Sequence, residues 1–360
     1  GEKRAEESRD AAKNGMFTEL CGYALFLVFG LLFAKPFFNL FTDDLELQAL
    51  GGEYLSIVCI FSFGLFFGIC FERMMQATGN TVLSMVTQLT GAVINIILDP
   101  IMIFGLLGCP AMGIAGAAIA STISEAVCLV FLLGYVLLRV DHGKYALFGS
   151  FSWDGALQRS LFRLGRWLMV QEAFAFFAWL LFFLAVEHLG EEPLAVSNIV
   201  RQICSTLFLF IHAFGSTCLI GEGREDEVPG LVRRGLVLCA VSMLPVMLLA
   251  AVFPSAVLGV FTSIEGVISA ANATFYVMLG SFLTAVPAMY LLFVMGGIGR
   301  TWESSVATIA ASAVYLCYVF TITRLTTNVA VVWTADWIYY ITAGIVLWHY
   351  WRKGVWRTHS

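Results

Sequence analysis

Apolar runs of more than 20 residues recur along this 360-residue chain, and they constrain its fold more than any other feature. As a helix, each run is long enough to cross a hydrocarbon core of roughly 30 Å. Only 12% of the residues are charged, against about a quarter in soluble domains, and the runs lack the alternation of a membrane β-barrel. The sequence therefore predicts an all-α polytopic membrane protein. Ten spans are predicted, at 16–41, 48–72, 81–105, 112–138, 167–187, 194–220, 229–253, 268–297, 303–323 and 329–351.

The distribution of basic residues predicts the orientation of these spans. All but three of the 20 Lys and Arg residues fall in the two terminal segments or in alternate loops, the exceptions being Lys35, Arg201 and Arg324. Cytoplasmic loops of membrane proteins carry such an excess, so both termini are predicted to be cytoplasmic. The basic residues are spread over several loops, which argues against nucleic-acid binding.

An internal repeat predicts two lobes. The segment GEKRAEESRDAAKNG (1–15) resembles GEGREDEVPGLVRRG (221–235), and at the same offset MMQATGNT (74–81) resembles VMGGIGRT (294–301). Such parallel repeats occur in secondary transporters. Because two spans precede the second copy and none precedes the first, we expect two further helices ahead of this chain. The predicted parts are an N-terminal lobe of four visible helices (1–138), a cytoplasmic inter-lobe linker (139–166), a C-terminal lobe of six helices (167–351) and a cytoplasmic tail (352–360).

Asp99 is the one ionisable residue in the apolar segment VINIILDPIMIFG (93–105). On a helix, Gln88, Asn95 and Asp99 share one face, and the last two lie one turn apart. A carboxylate in hydrocarbon is costly, so a compensating interaction is expected. The carboxylate and the amide oxygen suit a hard cation such as Na⁺, or a proton relay. The alternative is a protonated Asp99 that bonds to Asn95 and serves helix packing.

Neighbouring residues add further polar groups to this position. Pro100 has no N–H, so the Ile96 carbonyl lacks its helical partner and is a further candidate ligand. The next span supplies Ser121, Thr122 and Glu125. Glu125 is either functional or a satisfied polar contact.

Two segments resemble a known transporter family. The pattern GNT…NIILDPIMIFGLLG…MGIAGAAIAS (79–121) is similar to the signature of multidrug and toxic compound extrusion (MATE) transporters, and WLLFFLAVEHLGEEPLAVSNIVRQI (179–203) resembles a bacterial branch of that family. The likeness extends over almost the whole chain. It implies a twelve-helix exporter with two six-helix lobes around a central cleft, of which ten helices are present here.

The resemblance also implies a function. Such a protein would export organic cations or other amphipathic compounds across the bacterial cytoplasmic membrane, in exchange for Na⁺ or H⁺, by alternating access. We expect a monomer with no enzymatic activity and no cofactor beyond the coupling ion, whose partners are its small-molecule substrates and the lipid bilayer.

For the first lobe, the resemblance implies a cation site. Its members would be Asn95, Asp99 and the hydroxyl that follows Gly-Ala-Ala-x-Ala, which Ser121 matches and Thr122 matches less well. Gln88 is a further candidate on the same helix face. The family also places an essential Asp on its first helix, which this chain does not contain, so the site is incomplete here.

For the second lobe, the resemblance leaves alternatives open. Glu172 lies at about the position where many family members carry an acidic cation-site residue, which indicates a coupling or substrate role. The matching carboxylate of the tenth family helix is absent from 276–297. The intramembrane Asp336 either compensates for it or anchors the outer end of its helix.

Two further polar residues lie within the span 194–220. Arg201 needs a partner at this depth, and Glu187 is the nearest candidate by topology. A structural ion pair is the favoured interpretation and substrate recognition the alternative. His212 is either a proton carrier or a packed hydrogen-bonding residue.

Three other functions compete with export. A flippase for lipid-linked oligosaccharides, from the same superfamily, would have a cationic cavity, whereas Arg201 is almost the only deep basic residue. An intramembrane enzyme would need clustered catalytic groups, and neither His-Glu-x-x-His nor Gly-x-Gly-Asp occurs. An inactive fragment is the remaining alternative.

Overall fold

The computed structural model of the protein describes residues 2–39, 45–77, 80–139, 153–216 and 228–355. These residues are almost entirely helical and include no strand, so the predicted all-α class is confirmed. A short 3-10 helix covers Leu106–Gly108. The α-helices are α1 Glu2–Phe38, α2 Leu45–Phe61, α3 Phe63–Ala77, α4 Thr81–Phe104, α5 Gly113–Arg139, α6 Gly155–Glu187, α7 Glu191–Ser216, α8 Val228–Val252, α9 Pro254–Gly259, α10 Glu265–Gly297, α11 Thr301–Leu325, α12 Val329–Val332 and α13 Ala335–Arg352.

Within these described ranges, nine helical segments are long and apolar enough to cross a membrane. The pair α2–α3 makes a tenth if it forms one span, but its helices are bent by 47°. The predicted span over 48–72 is thus broken at Ser62 into two helices. The Ser62 hydroxyl at the break donates to the Val58 carbonyl one turn earlier, and such back-bonding is known to bend helices.

Two helices begin earlier than predicted. Helix α1 starts at Glu2, in the terminal segment ahead of the first predicted span at 16–41. Helix α6 starts at Gly155, within the predicted linker, because the Asp154 carboxylate accepts hydrogen bonds from the backbone N–H groups of Ala156 (2.8 Å) and Leu157 (3.1 Å). These bonds satisfy N–H groups that a helix start leaves without partners.

The chain divides into two compact units, residues 1–161 and 162–360. This division falls inside the predicted linker 139–166, of which 140–152 lie outside the described residues. In the second unit, α10 is the most buried span and packs mainly against α7 and α13.

Each of the two turns that carry the repeat contains an equivalent backbone hydrogen bond. The Asn80 N–H donates to the Met75 carbonyl (3.0 Å), and the Arg300 N–H donates to the Met295 carbonyl (2.9 Å). Each bond spans five residues at the same sequence offset, as equivalent turns of a repeat would. Of the repeat segments, positions 1, 78–79 and 221–227 lie outside the described part of the chain.

Small residues bring α4 and α5 of the first unit close together. A Cβ atom on Gly116 would lie 2.5 Å from the Met102 carbonyl oxygen, and one on Gly91 would lie 2.5 Å from the Cys128 sulfur. Membrane helices use small residues to approach in this way. Asn95 on α4 consequently lies within hydrogen-bonding reach of α5.

A glycine substitution tests this contact. Gly116→Ala is expected to destabilise the protein by about 1–3 kcal/mol, because the added methyl group meets backbone that cannot move away cheaply. The matched control is Gly134→Ala on the same helix, where an added Cβ meets no atom within 4 Å and the higher helix propensity of Ala makes the change neutral or slightly stabilising. Thermal unfolding in detergent micelles measures both, and equal Tm values for the two variants would contradict the close approach.

Candidate functional site

The predicted cation ligands of the first unit lie together. The Asn95 side-chain amide on α4 donates to the Asp99 carboxylate (3.3 Å) and to the Ser121 hydroxyl on α5 (3.2 Å). All three side chains are half-buried. The bond between Asn95 and Asp99 is compatible with both sequence interpretations, coupling site and packing contact.

Residues at both ends of α4 determine where this helix begins and ends. The Asn80 side chain caps the helix start by accepting from the Leu83 N–H (3.2 Å). At the other end Gly105 adopts a left-handed conformation with φ 71°, which favours glycine and commonly ends helices. Pro100 lies inside the helix, one turn after Ile96, so it removes the donor for that carbonyl.

The structure distinguishes between the two candidate hydroxyls on α5. Ser121 is in the network, whereas the buried Thr122 hydroxyl donates to the Ile119 carbonyl of its own helix (2.9 Å). Consecutive residues of a helix point about 100° apart, so both cannot face α4. Ser121 is therefore the hydroxyl that the geometry supports.

A cavity of about 320 Å³ adjoins this network within the first unit. Its walls come from α3, α4 and α5, and they carry two carboxylates, Glu72 and Glu125, and no basic side chain. The Gln88 side-chain amide donates to the Glu72 carboxylate (2.8 Å). The full lining comprises Gly64, Leu65, Gly68, Ile69, Glu72, Thr87, Gln88, Gly91, Ala92, Asn95, Ser121, Ser124, Glu125, Cys128 and Leu132.

Glu72 lines the cavity but was not predicted from the sequence, because it stands beside Arg73 at the end of a predicted span. A signal was present in the spacing. Gly64, Gly68 and Glu72 recur every four residues, which places them along one helix face, and all three line the cavity.

The donor set fits a monovalent cation better than a multivalent one. Asp99 supplies one carboxylate, Ser121 a hydroxyl, and Asn95 an oxygen once its amide is turned over, since its N and O atoms are assigned from the bonding network. Ca²⁺ takes six to eight oxygen ligands. In the described residues no group of three or more His, Cys, Asp or Glu side chains is arranged to hold a metal ion.

In the second unit, Arg201 and Asp336 line one cavity and their charges interact. Glu187, the partner predicted for Arg201, instead lies exposed at the end of α6, so that prediction is wrong. The order of the loops suggested Glu187, whereas tertiary packing brings α13 with Asp336 to Arg201. Asp336 is 4% exposed, which does not fit an anchor at the membrane surface.

The structure leaves two other candidates outside both cavities. The Glu172 side chain on α6 is exposed and accepts a long hydrogen bond from the Gln171 amide (3.5 Å). The His212 side chain on α7 is exposed as well, with its ring 4.9 Å from the Phe293 ring in an edge-on arrangement. Their roles in coupling or substrate binding stay predictions.

Curated relatives with similar sequences are probable multidrug resistance proteins by name. The chain is 28% identical over 227 residues to the probable multidrug resistance protein NorM of Thermotoga maritima, a match that covers 61% of this chain and 48% of that protein. It is 23% identical over 320 residues to the probable multidrug resistance protein YoeA of Bacillus subtilis, covering 86% and 69%. The chain thus spans about half the length of NorM relatives that it matches.

Solved structures show the same fold. The outward-facing conformation of a multidrug resistance MATE family transporter superposes with a TM-score of 0.87 at 19% identity, over 99% of this chain and 81% of that one. A MATE structure in complex with MaL6 superposes with a TM-score of 0.85 at 20% identity, over 97% and 80%. At these identities the likeness shows the fold, a MATE-like helical bundle.

The family model named MatE matches residues 1–101 and 168–322, which together are well over half of the chain. The two matched ranges fall on the two compact units. They include Asn95, Asp99 and Arg201 but neither Ser121 nor Asp336. The expectation of a transporter family rather than an enzyme family is confirmed, and this multi-pass membrane protein belongs to the multidrug and toxic compound extrusion (MatE) family.

Proposed function

We propose that the protein exports organic cations across the bacterial cytoplasmic membrane in exchange for Na⁺ or H⁺. The observation that supports this most directly is the cavity of the first unit, which has two carboxylates and no basic lining residue and adjoins the Asn95–Asp99–Ser121 network. Relatives named multidrug resistance proteins support the same class of substrate. The flippase alternative has no comparable support, because an anionic cavity would repel a lipid-linked phosphate.

The cavity has the chemistry of a site for amphipathic cations. Glu72 and Glu125 attract positive charge, while Leu65, Ile69 and Leu132 offer apolar surface. Both carboxylates are half-buried, so their attraction for a cation is stronger than it would be in bulk water. A largely apolar molecule with one or two positive charges would interact with both the carboxylates and the apolar side chains of this surface.

Exchange requires that the ion and the substrate favour different states of the transporter. Ion binding at Asp99 removes a negative charge next to the cavity, which weakens the hold on a bound cation and favours its release. Return of the free carboxylate restores the affinity for substrate. Only such a difference in affinity between states drives alternating access.

The orientation follows from the spans and the charges. We take the bent pair α2–α3 as one crossing, so that ten spans leave both termini on one side of the membrane. The excess of Lys and Arg in the loops of that side supports a cytoplasmic location. We further propose that the transporting unit is a monomer that lies in the lipid bilayer and binds no nucleic acid.

Binding of ethidium tests the role of the cavity. Glu72→Gln and Glu125→Gln are each expected to weaken ethidium binding by about tenfold, since each removes one partly desolvated attraction, and tenfold corresponds to about 1.4 kcal/mol. Fluorescence titration of the protein in detergent micelles measures this change. Glu187→Gln, which removes a carboxylate that is exposed and outside both cavities, is the matched control. Unchanged affinity in both cavity variants would overturn the proposed substrate site.

A further inference from the structure

The cavity of the second unit differs in chemistry from that of the first. The cavity has a volume of about 200 Å³ and is lined by residues of helices α6, α7, α10, α11 and α13. Its charged lining residues are one cation and one anion, Arg201 and Asp336. Aromatic rings form most of the remaining wall, and they belong to Trp179, Phe208, Tyr315, Tyr339 and Tyr340.

Both charged side chains offer an atom without a hydrogen-bond partner. The Arg201 Nε–H and the Asp336 Oδ2 are fully buried and make no hydrogen bond. Leaving a buried polar atom unsatisfied is costly, and native structures seldom do so without a ligand or ordered water. The cavity wall thus includes one cationic and one anionic residue, each with a polar atom that lacks a partner.

Surrounding rings hold the guanidinium of Arg201 in place. Its Cζ atom lies 5.5 Å from the ring centroids of Trp179 and Trp333, and 5.8 Å from those of Phe182 and Phe183. The Trp333 indole is itself held by the hydrogen bond from its Nε1 to the Ser197 hydroxyl (3.0 Å). A guanidinium fixed on several sides loses little freedom when it binds an anion.

The balance of charge determines which ligand suits this cavity. Arg201 and Asp336 together carry no net charge, so a ligand with a single charge would leave one uncompensated charge in a buried site, which is unfavourable. A ligand that carries both charges forms two compensated pairs, a carboxylate with Arg201 and an ammonium with Asp336. An aromatic body on the ligand would pack against the tyrosine and tryptophan wall.

We propose that this cavity is a binding site for a small aromatic zwitterion with adjacent ammonium and carboxylate groups. This ligand has no net charge, whereas the two carboxylates of the first cavity select for a ligand with net positive charge. This inference stands on the second unit alone and does not rest on the export of organic cations.

Three ligands that share one phenyl group test the proposal in the intact chain. L-Phenylalanine carries both charges, 2-phenylethylamine lacks the carboxylate, and 3-phenylpropionate lacks the ammonium. Isothermal titration calorimetry in detergent micelles is expected to show phenylalanine binding at least about tenfold more tightly than either singly charged analogue. Equal or tighter binding of 2-phenylethylamine that persists in the variant E72Q/E125Q, which lacks both carboxylates of the first cavity, would make this a plain cation site. Absence of phenylalanine binding would mean that the cavity does not take an aromatic zwitterion. Either result overturns the proposal.

Substitutions locate the binding to this cavity. Arg201→Lys keeps the charge but removes the Nε–H and the planar fork, so phenylalanine affinity is expected to fall by about tenfold. The double variant R201M/D336L removes both charges together and is expected to lose the preference for the zwitterion. The control variant Glu187→Gln changes an exposed residue at the end of α6 that does not line the cavity. It should bind phenylalanine as the native protein does. Native affinity in Arg201→Lys would place the ligand elsewhere and overturn the assignment, and if that variant does not fold, the three ligands on the native chain still decide.

Discussion

Asp99→Asn is expected to reduce ion-driven export of ethidium by at least about tenfold, because export then lacks the one group of its network whose charge changes on ion binding. The replacement has nearly the same shape as the carboxylate and still accepts the hydrogen bond from the Asn95 amide, so the helix packing is preserved. The measurement is the initial rate of dye movement in proteoliposomes, with Na⁺ and pH gradients imposed separately. The gradient that drives the native protein identifies the coupling ion.

Two controls separate coupling from folding and from substrate binding. Asp99 does not line the cavity of the first unit, so Asp99→Asn should bind ethidium at equilibrium as the native protein does with its ion bound, and this binding should no longer respond to the ion. Glu187→Gln should export at the native rate. If Asp99→Asn also exports at the native rate, Asp99 is a packing residue, and the alternative drawn from the sequence is the correct one.

Asp336→Leu is expected to lower the free energy of unfolding by roughly 3–5 kcal/mol, the usual cost of leaving a buried charge without its partner. The guanidinium of Arg201 cannot escape this cost by losing its proton. It stays enclosed by Trp179, Phe182, Phe183 and Trp333, with no other charged residue lining its cavity. Thermal and chemical unfolding in micelles measure the loss.

The double variant R201M/D336L provides the decisive comparison. Replacing both members of a buried charge pair by apolar residues is often neutral, so the double variant should recover most of the stability that Asp336→Leu loses. Strictly additive effects of Asp336→Leu and Arg201→Met would mean that the two charges do not interact, and would contradict the interaction inferred from their place in one cavity.

Local sequence patterns were sufficient to predict part of the candidate site. Asn95 and Asp99 lie one turn apart on a single helix, so helical periodicity alone places their side chains together, and the structure shows the hydrogen bond between them. Ser121 was predicted from a motif match, with Thr122 as the alternative. The choice between them depends on the rotation of α5 about its axis, which is set by the contact of Gly116 with Met102 on α4.

Other parts of the site were beyond the reach of the sequence. Glu72 was not predicted because it lines a cavity that forms only where α3, α4 and α5 pack together. Arg201 was assigned to Glu187, a neighbour along the chain, whereas the structure gives it Asp336, which is 135 residues further along. Contacts of that kind depend on which helices pack together, and periodicity within one helix carries no information about them.

The long apolar runs alone establish that this chain is made of membrane-crossing helices, because hydrocarbon accepts only segments that satisfy their own backbone hydrogen bonds and expose apolar side chains. The sequence also determined the polar residues that must avoid lipid, since each of them is costly there. The grouping of those residues follows from helix packing, which places two carboxylates around one cavity and two opposite charges around the other. The physical reason is that burying a polar side chain requires a partner, while the identity of the partner follows from helix packing.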